Sequence, residues 1–294
     1  MRASAQPLPE VGSPPTGLSV RLAISEDVLR GVNKSDATAA IQIWAGEIGR
    51  ATGLRLATDH TYILSSDRLI AGIRNGMIDL FCLTTQEYRR VTSYVDVSHI
   101  ISDGGGGTEL LLVVRSADQI SNLAGLRGRK IVVLDDAYSG LAEQWLAVSM
   151  RREGLGSPSQ VLGSLTKRYK AAQVVLPVFF GQADACVVTR TALETMFELN
   201  PQLSRNLKIL SASPKMLTAF LAVAKDFPAQ QKQVLFDRIL SARTQTAARQ
   251  VLMLFHSSGF RVVEPELLRN ACSLLDAHEK HFGTQSALSS TAAR

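Results

Sequence analysis

The feature that most constrains this chain is the way short apolar runs alternate with amphipathic stretches through its first third. Val20, Leu22 and Ile24 alternate as in a strand, and Leu54 to Ala57 and Leu80 to Leu83 read as two more. Between them, Ile41, Trp44 and Ile48 share one helical face, with Asp36 as a capping residue and Gly53 as a stop. Leu69, Ile70 and Ile73 form a second face after Ser65-Ser66, closed by Gly76. Gln86 begins a further short helix. This β-α-β-α-β order at short spacing predicts a mostly parallel sheet covered by helices.

A second series follows a run of four glycines, Gly104 to Gly107, which reads as a mobile loop. Leu110 to Val114 and Ile131 to Leu134 are strand-like. Ser139-Gly140 open a helix bearing Leu141, Trp145 and Val148, stopped by Gly154. Ala171 to Phe180 has a helical pattern interrupted by Pro177, and Ala183 to Val188 is a strand. A helix over Thr191–Leu199 is closed by Pro201. A return segment begins at Ile209-Leu210, and Leu217 to Val223 is a last apolar strand. Leu267, Leu268, Ala271, Leu274 and Leu275 then form a core-facing helical stripe.

Composition narrows the function. At 46% hydrophobic and 20% charged residues, the 294-residue chain is an ordinary globular sequence. No apolar run approaches the ~20 residues that span a bilayer. The net charge of +6 fits either an anionic ligand or a merely solvated surface. The Lys and Arg residues are scattered, without the interleaved aromatics of a nucleic-acid surface, so no nucleic-acid partner is expected. Cys82 and Cys186 lie in apolar runs and read as small buried hydrophobes, with Cys272 apart. His278 and His281 have no third ligand near them in sequence, so neither a metal nor a cofactor is expected. Nucleotide-binding glycine motifs are absent after the first strand, and no Gly-x-Ser-x-Gly or His-Glu-x-x-His occurs. Asp135 and Asp136, adjacent in an extended segment, point to opposite faces and make a poor acid/base pair.

The N-terminus carries Ala3-Ser4-Ala5 before Gln6, the small-x-small form of a signal-peptidase site, and then a Pro-rich tether. Met1 lying inside a longer precursor and a plain disordered leader are both compatible with it.

Four strings together carry a resemblance. Asp67 to Asp79 has a helix ending in Gly76 and an Asp starting the next strand, and Val174 to Asp184 repeats that form. Ile120 to Val133 looks like the entry to a second lobe, and Asp135-Asp-Ala-Tyr-Ser-Gly140 stands where an anion loop would precede a helix. In this order, over roughly Val20 to Leu240, the chain resembles the phosphonate-type substrate-binding proteins of ABC importers. The resemblance implies an α/β, two-lobe type II periplasmic-binding-protein fold and no enzymatic activity. It implies lobe I over 18–110 and 209–284 and lobe II over 111–208, between a leader at 1–17 and a tail at 285–294. The implied hinge lies near Thr108–Leu112 and Leu207–Ser213.

The same resemblance implies a small anionic, phosphate- or phosphonate-like ligand, an ABC permease as membrane partner, a monomeric state and a periplasmic location. A sensory module of the same fold, signalling to a membrane partner such as a histidine kinase, is the alternative. Ligand in such a fold sits at the strands' C-terminal ends, where helix N-termini offer N–H donors. Thr84, Thr85, Ser139 and Gly140 stand there, as ligand contacts or as plain helix caps. Lys170 is a candidate charge partner or a surface lysine. Tyr62 and Tyr138 are candidate pocket walls or exposed loop aromatics.

Overall fold

The computed structural model describes residues 19–56, 61–103, 106–241, 249, 252 and 259–283. The expected leader, the tail and Gly104-Gly105 lie outside the described residues.

The first part of the chain runs β1 (Leu22–Ser25), α1 (Lys34–Thr52), β2 (Thr61–Leu64), α2 (Ser66–Arg74), β3 (Leu80–Thr84), α3 (Thr85–Arg89) and β4 (Val95–Asp103). The second runs β5 (Leu110–Arg115), β6 (Lys130–Leu134), α4 (Ala142–Arg152), α5 (Pro158–Val161), β7 (Ser164–Arg168), α6 (Ala171–Phe179), β8 (Ala185–Thr189), α7 (Arg190–Leu199), α8 (Pro201–Asn206) and β9 (Leu207–Ala212). The chain closes with β10 (Ala219–Ala224), α9 (Ala229–Leu240), β11 (Phe260–Val262) and α10 (Pro265–Phe282).

Two sheets result, in the orders β11-β4-β10-β3-β1-β2 and β7-β6-β8-β5-β9. Each has a parallel trio, β2-β1-β3 and β7-β6-β8. The remaining pairings are antiparallel, so both sheets are mixed. Four of the strands in these pairings, β4, β5, β9 and β10, flank the crossings between sheets, and a sequence pattern of apolar runs carries no strand direction. Apolar clusters lie on both faces of each sheet, which gives each lobe a helix–sheet–helix layering. Every residue of β1 is therefore buried, although its sequence alternates.

Several boundaries differ from the sequence reading. Leu54 to Leu56 makes only an isolated bridge, Ser19 to Arg55, and the second strand is Thr61–Leu64. The cap of α1 is Asn33, whose side chain accepts the N–H groups of Ser35 and Asp36, and not Asp36. Leu207–Ala212, read as the start of the return, belongs to the second sheet beside β5. The C-terminal helix packs Ala271, Leu274 and Leu275 into the core around α4, so it is not confined to the first lobe. A helical stripe shows which face is buried, not which core receives it.

The two Gly-x-x-Asp strings play one role twice. Gly76 and Gly181 adopt left-handed φ of 62° and 74°. Asp79 then accepts the Arg21 N–H at 2.8 Å, and Asp184 accepts the Lys130 N–H at 2.8 Å, fixing β1 and β6 where they begin. Arg21 grips Asp79 through Nε and Nη2 at 2.8 and 2.7 Å, and Arg129 pairs with Asp184 at 3.1 Å.

The chain crosses between sheets after β4 and again after β9. The two crossings pair with each other: Thr108 and Met216 exchange backbone hydrogen bonds of 2.7 and 2.9 Å. Ser213 Oγ accepts the Leu110 N–H at 2.9 Å, and Glu109 holds Arg190 at 2.5 Å. Of the expected hinge segments, Thr108–Leu112 and Leu207–Ser213, the parts Leu110–Leu112 and Leu207–Ala212 are strands of the second sheet, while Thr108 pairs with Met216 where the chain crosses.

Candidate functional site

The segment after β1 and helix α3 after β3 meet the loop after β6 across the junction of the lobes. At this end of the first lobe, polar groups are bonded to one another. Glu87 is 2% exposed. Its Oε1 accepts the Ser25 hydroxyl at 2.6 Å, and its Oε2 accepts the Thr84 N–H at 2.8 Å and the Thr84 hydroxyl at 3.0 Å. Thr84 in turn accepts the Glu87 N–H, completing a capping box on α3. Thr85 is fully buried and donates its hydroxyl to the Leu217 carbonyl at 2.6 Å.

The facing loop of the second lobe is an equally closed turn. The Asp136 carboxylate accepts the N–H groups of Tyr138 and Ser139 and the Ser139 hydroxyl, at 3.0, 2.9 and 2.8 Å. The Ser139 oxygen accepts the Asp136 N–H at 2.9 Å. Ser139, 3% exposed, therefore shapes the loop from beneath. Gly140 and Tyr138 are half-buried, and the space around the Gly140 Cα is open.

The lobes touch. Gln86 Nε2 donates to the Gly140 carbonyl at 3.2 Å. Arg30 reaches from the segment after β1 to Asp135 at 3.2 Å, and holds Asp27 of its own lobe at 2.9 Å. Burial disfavours the Arg30 charge, but the two carboxylates outweigh it and its pKa is raised, so it stays cationic.

Beside this junction is a cavity of about 80 Å³. Its floor is a row across four strands of the first sheet: Ile24, Cys82, Leu221 and Ile101 are consecutive register partners. Ile41 and Trp44 of α1 and Phe260 of β11 wall it, with the rings of Trp44 and Phe260 5.7 Å apart. Ala137 and Tyr138 of the second lobe complete its lining. Cys82 is thus half-buried against a cavity, while Cys186 is wholly buried, its thiol pushed up to about 12 by burial.

Of the residues singled out from sequence, Tyr138, Ser139, Gly140, Thr84 and Thr85 come together at the junction; Tyr138 lines the cavity and the hydroxyls are engaged within the protein. Lys170 is exposed at the N-cap of α6 and caps nothing with its side chain. Tyr62 pairs with Ala23 on β2 and acts electrostatically on Arg21, at the end of β1 away from the junction. Sequence reasoning gave no site role to Arg30, Gln86, Glu87 or Trp44. The Thr84-x-x-Glu87 spacing was a legible capping-box signal. Arg30 gave none, because only the fold brings it to Asp135. Among the described residues, no group of His, Cys, Asp and Glu could hold a metal ion, and no helix is long and apolar enough to cross a membrane.

A family model described as "ABC transporter, phosphonate, periplasmic substrate-binding protein" matches residues 29–268. Among solved structures, XAC2383 from Xanthomonas citri, bound to ATP, is 18% identical, with 90% of this chain and 99% of that one covered at a TM-score of 0.63. PhnD1 from Prochlorococcus marinus, in complex with methylphosphonate, is 15% identical, with 89% and 98% covered at 0.58. A binding protein component of an ABC phosphonate transporter from Pseudomonas aeruginosa is 12% identical, with 92% and 91% covered at 0.56. No curated protein matches the sequence. At these identities the structural likeness shows the fold, which is that of the periplasmic binding proteins.

Proposed function

The chain belongs to the family of periplasmic phosphonate-type substrate-binding proteins of ABC transporters, a family of carriers and not of enzymes, and on that footing we propose that it captures a phosphate- or phosphonate-like anion between its lobes. The observation that carries the anion is Arg30. It is a guanidinium that joins the two lobes, and its bond to Asp135 is the contact an oxyanion can replace, since phosphonate and carboxylate oxygens fit the same fork. Gly140 and Tyr138 supply backbone and ring on the opposite side, with Ser139, Thr84 and Thr85 holding those elements in shape. Lys170, exposed on the second lobe, adds positive potential. The monomer, with ligand bound and lobes closed about the Thr108–Met216 ribbon, docks on a membrane permease on the periplasmic side.

Isothermal titration with methylphosphonate, phosphite and phosphate tests this. Binding should weaken roughly tenfold or more in Arg30→Ala, the loss expected for a charged hydrogen bond. If no phosphorus oxyanion binds the wild-type protein, the anion assignment falls and the family membership stands.

A further inference from the structure

Resting on the reading of the junction as a head-group site, we infer that the natural ligand carries a short apolar chain that enters the first lobe between its sheet and α1. The cavity beside the junction lies there, lined by residues of both. Val28 and Ile24 stand close along the chain to Arg30 and continue inward to Ile41 and Trp44. The lining is almost wholly apolar, and two of the residues facing it, Ala219 and Cys82, are small. Larger side chains at either position would close the space, so the sequence keeps open what core packing would fill.

The volume sets the chain length. About 80 Å³ is roughly half of the ~150 Å³ apolar cavity that admits benzene, and room for about three groups of water or methylene size. A propyl-sized chain matches that volume more closely than a ring does.

Trp44, 4% exposed, adds its ring to the apolar wall of this space. The ligand class is then a small organophosphonate with a three- to four-atom, mostly apolar substituent.

The test is a titration of the wild-type protein with methyl-, ethyl-, propyl-, butyl- and hexylphosphonate, and with n-alkyl carboxylates of the same lengths. Affinity should rise about fourfold per methylene up to propyl and then level off, from the transfer free energy of a methylene. Ala219→Leu should flatten that dependence. Without any substitution, alkylation of Cys82 followed by peptide mass spectrometry should be slowed by butylphosphonate more than by methylphosphonate at equal saturation. Affinity independent of chain length in every series that binds, or Cys82 labelled equally under both ligands, overturns the inference. Chain-dependent binding of carboxylates alone keeps the slot and removes the phosphonate head group. Binding of neither series removes both.

Discussion

At the scale of single residues, the hydroxyls that mark the junction in the sequence act inward. Ser139 both donates to and accepts from Asp136, and its substitution takes away two of the bonds that close the loop, leaving those from the Tyr138 and Ser139 N–H groups. Ser139→Ala should cost about 1–2 kcal/mol of stability in urea unfolding. Ligand affinity should fall only as far as the loop loosens, by less than in Arg30→Ala. An equal or greater loss of affinity at full stability would make Ser139 a direct contact. Thr84 was legible, because a helix N-terminus calls for a hydroxyl, whereas Ser139 lies before the Leu141 cap of α4 and serves the turn instead. Which hydroxyl is engaged by a neighbouring carboxylate was not, since it depends on Glu87 and Asp136 folding back on them.

At the scale of elements, β4 and α9 are tied by the ion pair of Asp96 with Lys232, and Asp96 also accepts from Ser98. Burial raises the Asp96 pKa, but the bonds from Lys232 and Ser98 outweigh it and hold the carboxyl at about 2, against 3.8 when free. A depressed carboxyl pKa stabilises the folded state above the free value, and that contribution is lost as pH falls from there toward about 2. The urea midpoint should therefore decline below about pH 4, and Asp96→Asn should lower the midpoint at neutral pH while making the acid decline shallower. A variant with an unchanged acid slope would mean other carboxylates control it.

Elements were the scale best read in advance. Both Gly-x-x-Asp strings sit in equivalent places and bond equivalent N–H groups, as their recurrence suggested. Strand direction and helix destination were hidden, because β9 and α10 look alike in sequence whichever sheet receives them.

At the scale of the whole molecule, the last quarter of the chain is shared by both lobes. Strand β10 lies between β3 and β4 in the first sheet, and α10 covers the core around α4 in the second lobe. A chain ending before Pro265 loses the burial of Leu274, Leu275 and Ala271. It should be less stable by roughly 4–6 kcal/mol and bind an apolar dye such as ANS, as burial free energies of leucine side chains imply. Undiminished stability would show that α10 is only an appendage.

The position of β10 also sets an order in time. A ribosome making this chain from its N-terminus produces β3 and β4 as neighbours with a gap between them, and supplies the strand that fills it only after the whole second sheet. The second sheet has all its strands by Ala212, while the first waits with two open edges. The first sheet therefore stays incomplete throughout the synthesis of the second, and the first lobe can close only once Ala219–Ala224 and Phe260–Val262 have been made.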